Sequence, residues 1–161
     1  RGGDDEDASS SEAAYTITGK RLPDFHPGSN LASITYNPWF STNYIFYAKD
    51  DNVIRHNLSN GDEQVVYTAP AGYTVSVIKF RTEDAESNST MSSNLGDLGL
   101  YLSIGMNKES NGAVAEIKLT PAADVDESFS LFCDKDSEGN AFGRILDLQF
   151  AHVYTYSKDS N

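Results

Sequence analysis

The 161-residue sequence is poor in the side chains that most often carry chemistry: it holds one cysteine, Cys133, and three histidines. A single thiol excludes an internal disulfide and any cysteine-rich metal signature. Cys133 ends an apolar run, a position that predicts an inert buried side chain. His26, His56 and His152 are far apart, so no pair has zinc-ligand spacing. Of these, His56 is expected half-buried on a strand, the other two at the surface. Basic residues are scarce as well. Against 24 Asp and Glu stand only 12 Lys and Arg, a formal charge of -12. Gripping phosphate backbones or anionic lipid requires clustered cations, which argues against a nucleic-acid partner. No apolar run approaches the roughly 20 residues of a spanning helix, so no direct membrane span is expected. Nucleophile motifs are missing too: there is no G-x-S-x-G, and nothing around Cys133 would activate its thiol. With so many acids, some pair falls at glycosidase-like separation by chance, so carboxylates alone mark no active site. A non-enzyme is the expectation.

What the sequence does contain is a core of moderate size, 39% hydrophobic and 11% aromatic. Tyr, Phe, Val, Ile and Thr cluster in short runs, the pattern of half-buried pleated surfaces. That predicts an all-β chain. Residues 1–13, with Asp4 to Asp7 and Glu12 among Gly and Ser, are too polar to offset the entropy of ordering and read as an acidic disordered tail. Residues 14–161 form the expected single domain. Within it Ala14 to Gly19 alternates like a short strand, and Pro23, Pro27 and Gly28 break the following stretch into a loop.

From Leu31 to Tyr67 the chain reads as four short strands, with turns at Asn37-Pro38, Asp50-Asp51-Asn52 and Asn60-Gly61. The opening triplet Leu31, Ile34 and Tyr36 returns as Val75, Ile78 and Phe80, then as Ile145, Leu148 and Phe150. Tyr44 to Ala48 aligns with Leu100 to Ile104, Val53 to Leu58 with Val114 to Leu119, and Glu63 to Tyr67 with Phe129 to Phe132. Two units therefore span about 31–72 and 75–140, with an opening strand at 143–150. The second unit is longer, and the excess is expected in loops at Arg81 to Asp97, Gly105 to Gly112 and Pro121 to Ser128. Antiparallel four-stranded units at a spacing of about 40–50 residues are the mark of propeller blades. Two units and one strand cannot close a ring of at least about four blades. A partial β-propeller, a piece of a longer one, is the expected architecture. A two-sheet β-sandwich is the alternative, and exposed strand edges in either case invite self-association.

The segments NYIFYAKDDNVIRHNLSNG, VVYTAPAG and FGRILDLQF together resemble the C-terminal propeller-like half of the PKD-like lipoproteins of Bacteroidota, over most of residues 31–150. The resemblance implies a non-catalytic protein at the cell surface of the outer membrane, lipid-anchored outside this chain. Its implied partners are a glycan or the surface proteins of a polysaccharide-uptake system. The immunoglobulin-like modules and the lipidation cysteine of that family are not matched here.

Two sets of residues stand out for binding. Trp39 and Phe40, in the loop before the second strand, with Tyr44 beside them, offer flat amphipathic faces suited to sugar rings. The competing reading is that they cap the core. Asp134, Asp136 and Glu138, followed by Gly139, have the alternating oxygen spacing of a calcium loop. Position twelve of such a loop is Ile145 rather than a bidentate carboxylate, which favours a plain charged hairpin. No cofactor is expected, with a structural calcium at this loop as the alternative. If the aromatic loop fails, the remaining readings are a structural or protein-interaction module and, last, a hydrolase.

Overall fold

The structure, a computed structural model, describes residues 25, 27–28, 30–36, 43–81 and 101–149. These form two antiparallel four-stranded sheets, with no helix among the described residues. The first contains β1 (Leu31–Thr35), β2 (Tyr44–Lys49), β3 (Asn52–Asn57) and β4 (Glu63–Thr68). In the second are β5 (Thr74–Phe80), β6 (Tyr101–Lys108), β7 (Asn111–Leu119) and β8 (Val125–Cys133). Strand order follows chain order in both. The chain is all-β. The 1–13 tail, the 14–19 strand and the 82–97 part of the polar loop lie outside the described residues.

Local chemistry explains the turns. Lys49 pairs with Asn52, so β2 and β3 are joined by two residues, and Asp50 takes a left-handed φ of 54° that short polar side chains tolerate. Between β3 and β4 the carbonyl of Asn57 accepts from Gly61, whose φ of 79° suits glycine. Asn57 Oδ1 also accepts from Ser59 N at 2.8 Å. These bonds fix the hairpin register that sets His56 opposite Glu63.

The two sheets share an irregularity as well as an order. In β1 the register slips between Leu31 and Ser33, and in β5 between Val75 and Val77, the same place in each unit. Such bulges bend and twist a strand. One face of the first sheet, with Phe46, Ala48 and Val53, meets the face of the second that carries Leu102, Ile104 and Met106, all at most 0% exposed. Phe46 and Phe80 meet edge to face, with centroids 5.3 Å apart. β5 lies against β1, where Ile78 N donates to Ser33 Oγ at 3.2 Å, and it starts by donating from Val75 N to Asp50 O at 2.8 Å.

Several expectations are corrected. Gly105 to Gly112 is not a long hairpin tip: β6 runs to Lys108 and β7 starts at Asn111. A Cβ on Gly105 would stand 2.6 Å from side-chain atoms of both Ile145 and Val77, so the glycine serves close packing within a strand. Nor is Pro121 to Ser128 wholly a loop, because β8 begins at Val125. Residues 144–149 are not a strand, and 143 makes only an isolated bridge to Asn111. This segment nonetheless lies on the second sheet, met by side chains. Ser76 Oγ donates to Ile145 O at 2.7 Å, Ile145 N donates to Asn107 Oδ1 at 2.6 Å, and Lys79 Nζ donates to Leu148 O. Cys133 is exposed rather than buried, since it ends β8, whose outer side has no strand partner among the described residues. His56 is 2% exposed rather than half-buried, because it faces Phe25 and Tyr47.

Candidate functional site

Of the three aromatic residues selected from the sequence, Trp39 and Phe40 lie outside the described residues. Tyr44 opens β2, where the segment bearing them enters the sheet. Its ring packs against the core, and the Arg55 guanidinium lies 4.8 Å from the ring centroid. One ring face is therefore covered by a cation. The same arrangement recurs in the second sheet, where Arg81 sits 4.0 Å from the centroid of Tyr101, the first residue of β6.

Arg55 organises the polar groups at this junction. Phe46, Arg55 and Gln64 are cross-strand partners on β2, β3 and β4, so all three point to the face that meets the second sheet. Only Phe46 is apolar enough to enter the core. The guanidinium instead spans to the second sheet, donating from Nη1 to Ala123 O at 2.7 Å and to Asp124 Oδ1 at 3.2 Å, and from Nη2 to Gln64 Oε1 at 2.7 Å. Asp124 is 64% exposed, which leaves its carboxylate open to solvent beside Tyr44 and Gln64. A planar fork, an amide and a carboxylate thus stand near an aromatic ring where β3 meets the turn at Ala123 and Asp124. Hydroxyl-rich ligands are held by such a set, with polar groups fixing orientation and ring surfaces supplying apolar contact. Sequence reading missed Arg55, Gln64 and Asp124. The available signal was a charged residue in the Val53, Arg55, Asn57 alternation, at a position whose neighbours turn inward.

A second cluster sits on the opposite face of the first sheet. Tyr47 Oη donates to Glu63 Oε2 at 2.6 Å, and His56 Nδ1 lies 3.1 Å from the same oxygen. Phe25 closes over both rings edge to face, with centroids 5.3 Å from Tyr47 and 5.2 Å from His56. Burial first, then the hydrogen bond and charge of Glu63, push the Tyr47 hydroxyl well above its ordinary value of 10.0. A tyrosine so strongly held in its neutral form is a structural donor at neutral pH.

The acidic trio falls on the hairpin after β8. Phe142 N donates to Asp134 O and Asp136 N donates to Asn140 O, closing the loop. Asp136 Oδ1 turns inward to accept from Glu138 N at 2.9 Å and from Asn140 N at 2.8 Å. The amide of Asn140 chiefly holds the Asp136 carboxyl below the usual range. Asp136 therefore serves as the loop's own cap. Among the described residues no three His, Cys, Asp or Glu side chains come together as a metal-ligand group.

Comparison with known proteins found no matching family model, no similar curated protein and no similar solved structure.

Proposed function

We infer that this chain is a non-catalytic glycan-binding module of a bacterial cell surface, built as part of a β-propeller and serving polysaccharide uptake. The observation that carries the binding site is the Arg55, Gln64 and Asp124 fork beside Tyr44, at the point where the Trp39-Phe40 segment joins the sheet. The Tyr44 ring and oriented polar groups are thereby brought together. The propeller reading draws support from the third triplet: the 143–149 segment lies on the second sheet as β5 lies on the first, through Ile145 N to Asn107 Oδ1 in one and Val75 N to Asp50 O in the other. A sandwich of two sheets leaves that third position without a role. The outer-membrane setting and the uptake system rest on the resemblance to PKD-like lipoproteins.

Affinity electrophoresis of the chain in gels containing plant and host polysaccharides tests this reading. One glycan should retard the chain, with retardation lost in Trp39→Ala and weakened in Asp124→Ala, and with no release of sugar. A folded chain that no glycan retards would overturn it.

A further inference from the structure

Arg55 is the cation of the candidate site, yet little of it faces outward. Its Nη1 donates to Ala123 O and Asp124 Oδ1, its Nη2 donates to Gln64 Oε1, and its flat face lies over the Tyr44 ring. The side chain is 16% exposed. A guanidinium reads a carboxylate or a sulfate through paired donors. Here the Nη donors already hold the protein's own acceptors.

The groups that do face outward are of another kind. Asp124 is 64% exposed; its Oδ1 accepts from Arg55, and among the described residues nothing donates to its Oδ2. An ionised carboxylate is an acceptor only, so it takes a hydroxyl proton and repels an anion. Gln64 is exposed as well. Because its Oε1 accepts from Arg55, its Nε2 turns the other way as a donor. Both groups are held by one guanidinium, which keeps acceptor and donor close together and at a constant separation. The turn behind Asp124 fixes it further. Thr120 N donates to Asp124 O at 2.8 Å and Asp124 N donates to Thr120 Oγ1 at 3.3 Å. Ala123, whose carbonyl accepts from Arg55, takes a left-handed φ of 66° that alanine rarely adopts. Strain of this kind persists only where the surroundings impose it, and it clusters at ligand sites.

We propose, on the glycan-binding reading above, that this junction selects uncharged glycans. Two neighbouring hydroxyls engage it, one donating to Asp124 and one accepting from Gln64, while uronates and sulfated sugars are turned away. Specificity then comes from a repulsive element as much as from an attractive one. The formal charge of -12 works in the same direction at longer range.

Affinity electrophoresis tests this with neutral polysaccharides beside anionic ones, each anionic polymer paired with its carboxyl-reduced or desulfated form, at about 0.05 M and about 0.5 M salt. Retardation should be confined to uncharged polymers at both salts. Gln64→Glu, which exchanges the donor for a second carboxylate at an exposed position, should weaken binding about tenfold, the worth of about one hydrogen bond. Asp124→Asn, which keeps an oxygen for Arg55, should weaken it about as much and narrow the preference against anionic polymers. An unchanged circular dichroism spectrum confirms that both variants fold. Retardation by an anionic polymer as strong as by its neutral form overturns the proposal. So does a preference that vanishes at about 0.5 M salt, which assigns it to the net charge of the chain, or one that Asp124→Asn leaves untouched. Each of these leaves the glycan-binding reading standing, whereas a folded chain that no polymer retards removes that reading and this one together.

Discussion

The two sheets are built alike yet fill one equivalent face in opposite ways. In the second sheet the cross-strand sets Leu102, Ile117, Ser130 and Ile104, Ala115, Phe132 make a largely hydrocarbon surface, and the first sheet packs on it. The corresponding sets in the first sheet are Ile45, His56, Glu63 and Tyr47, Ile54, Val65. There histidine stands for Ile117, tyrosine for Ile104 and glutamate for Ser130, and the polar atoms are joined into one network beneath Phe25. A face that meets another sheet can be all apolar because interlocking side chains exclude water across its whole area. The first sheet's face, on which Phe25 is the aromatic cover among the described residues, keeps polar groups, and each must then find a partner.

The largest effect should come from breaking the apolar version. Ile104 is 0% exposed and central to the contact with Phe46 and Phe80. Ile104→Ala should cost about 2–5 kcal/mol, transfer and cavity terms together, because strands on both sides hold the space open. Urea denaturation measures it. A loss below about 1 kcal/mol would mean that the sheets collapse together easily and that their packing is loose.

Next comes the polar version. Glu63 is the shared acceptor of the network, and Glu63→Ala strands the buried Nδ1 of His56 together with the Tyr47 hydroxyl. Leaving such groups unmet costs about 1–3 kcal/mol. The comparison sharpens in the double variant: adding His56→Ile, the side chain found at the equivalent place in β7, should recover part of the loss. Purely additive effects would show that His56 and Glu63 are not coupled.

This polar network also shows where a sequence is legible and where it is not. Strands β2, β3 and β4 are plain from alternation and from Asn, Asp and Gly at the turns, because local preference and tertiary packing agree there. Between 105 and 112 they disagree. Gly105, Asn107 and Gly112 look like loop residues, but the glycines admit Ile145 and Asn107 bonds its backbone, so a distant segment makes them strand. Residues 144–149 err the other way: an apolar triplet signals a strand, whereas their backbone is met by Ser76, Lys79 and Asn107 side chains. The Arg55 fork depends on Asp124, a partner far along the chain, and no periodicity reports that. Tyr44 was legible as an aromatic near a loop, but the guanidinium over its ring was not.

The smallest effect, and the one with a pH signature, belongs to Tyr47. Removing its hydroxyl in Tyr47→Phe deletes the bond to Glu63, yet leaves Glu63 with His56 and a partly exposed carboxylate, so about 1 kcal/mol should be lost at pH 7. The folded chain holds the Tyr47 proton more tightly than the unfolded chain does. Its contribution is therefore complete below the unfolded value of about 10 and is lost as pH rises from there toward the higher folded value. The gap between wild type and Tyr47→Phe should close above about pH 10, since only the wild type has this proton to surrender. Tyr67, raised by burial, titrates in both proteins and leaves each a common alkaline slope. Denaturation curves at pH 7, 9 and 11 separate the two contributions. A gap that stays constant would place the alkaline sensitivity outside the Tyr47 and Glu63 pair, and the polar face would then owe its stability to shape rather than to the shared carboxylate.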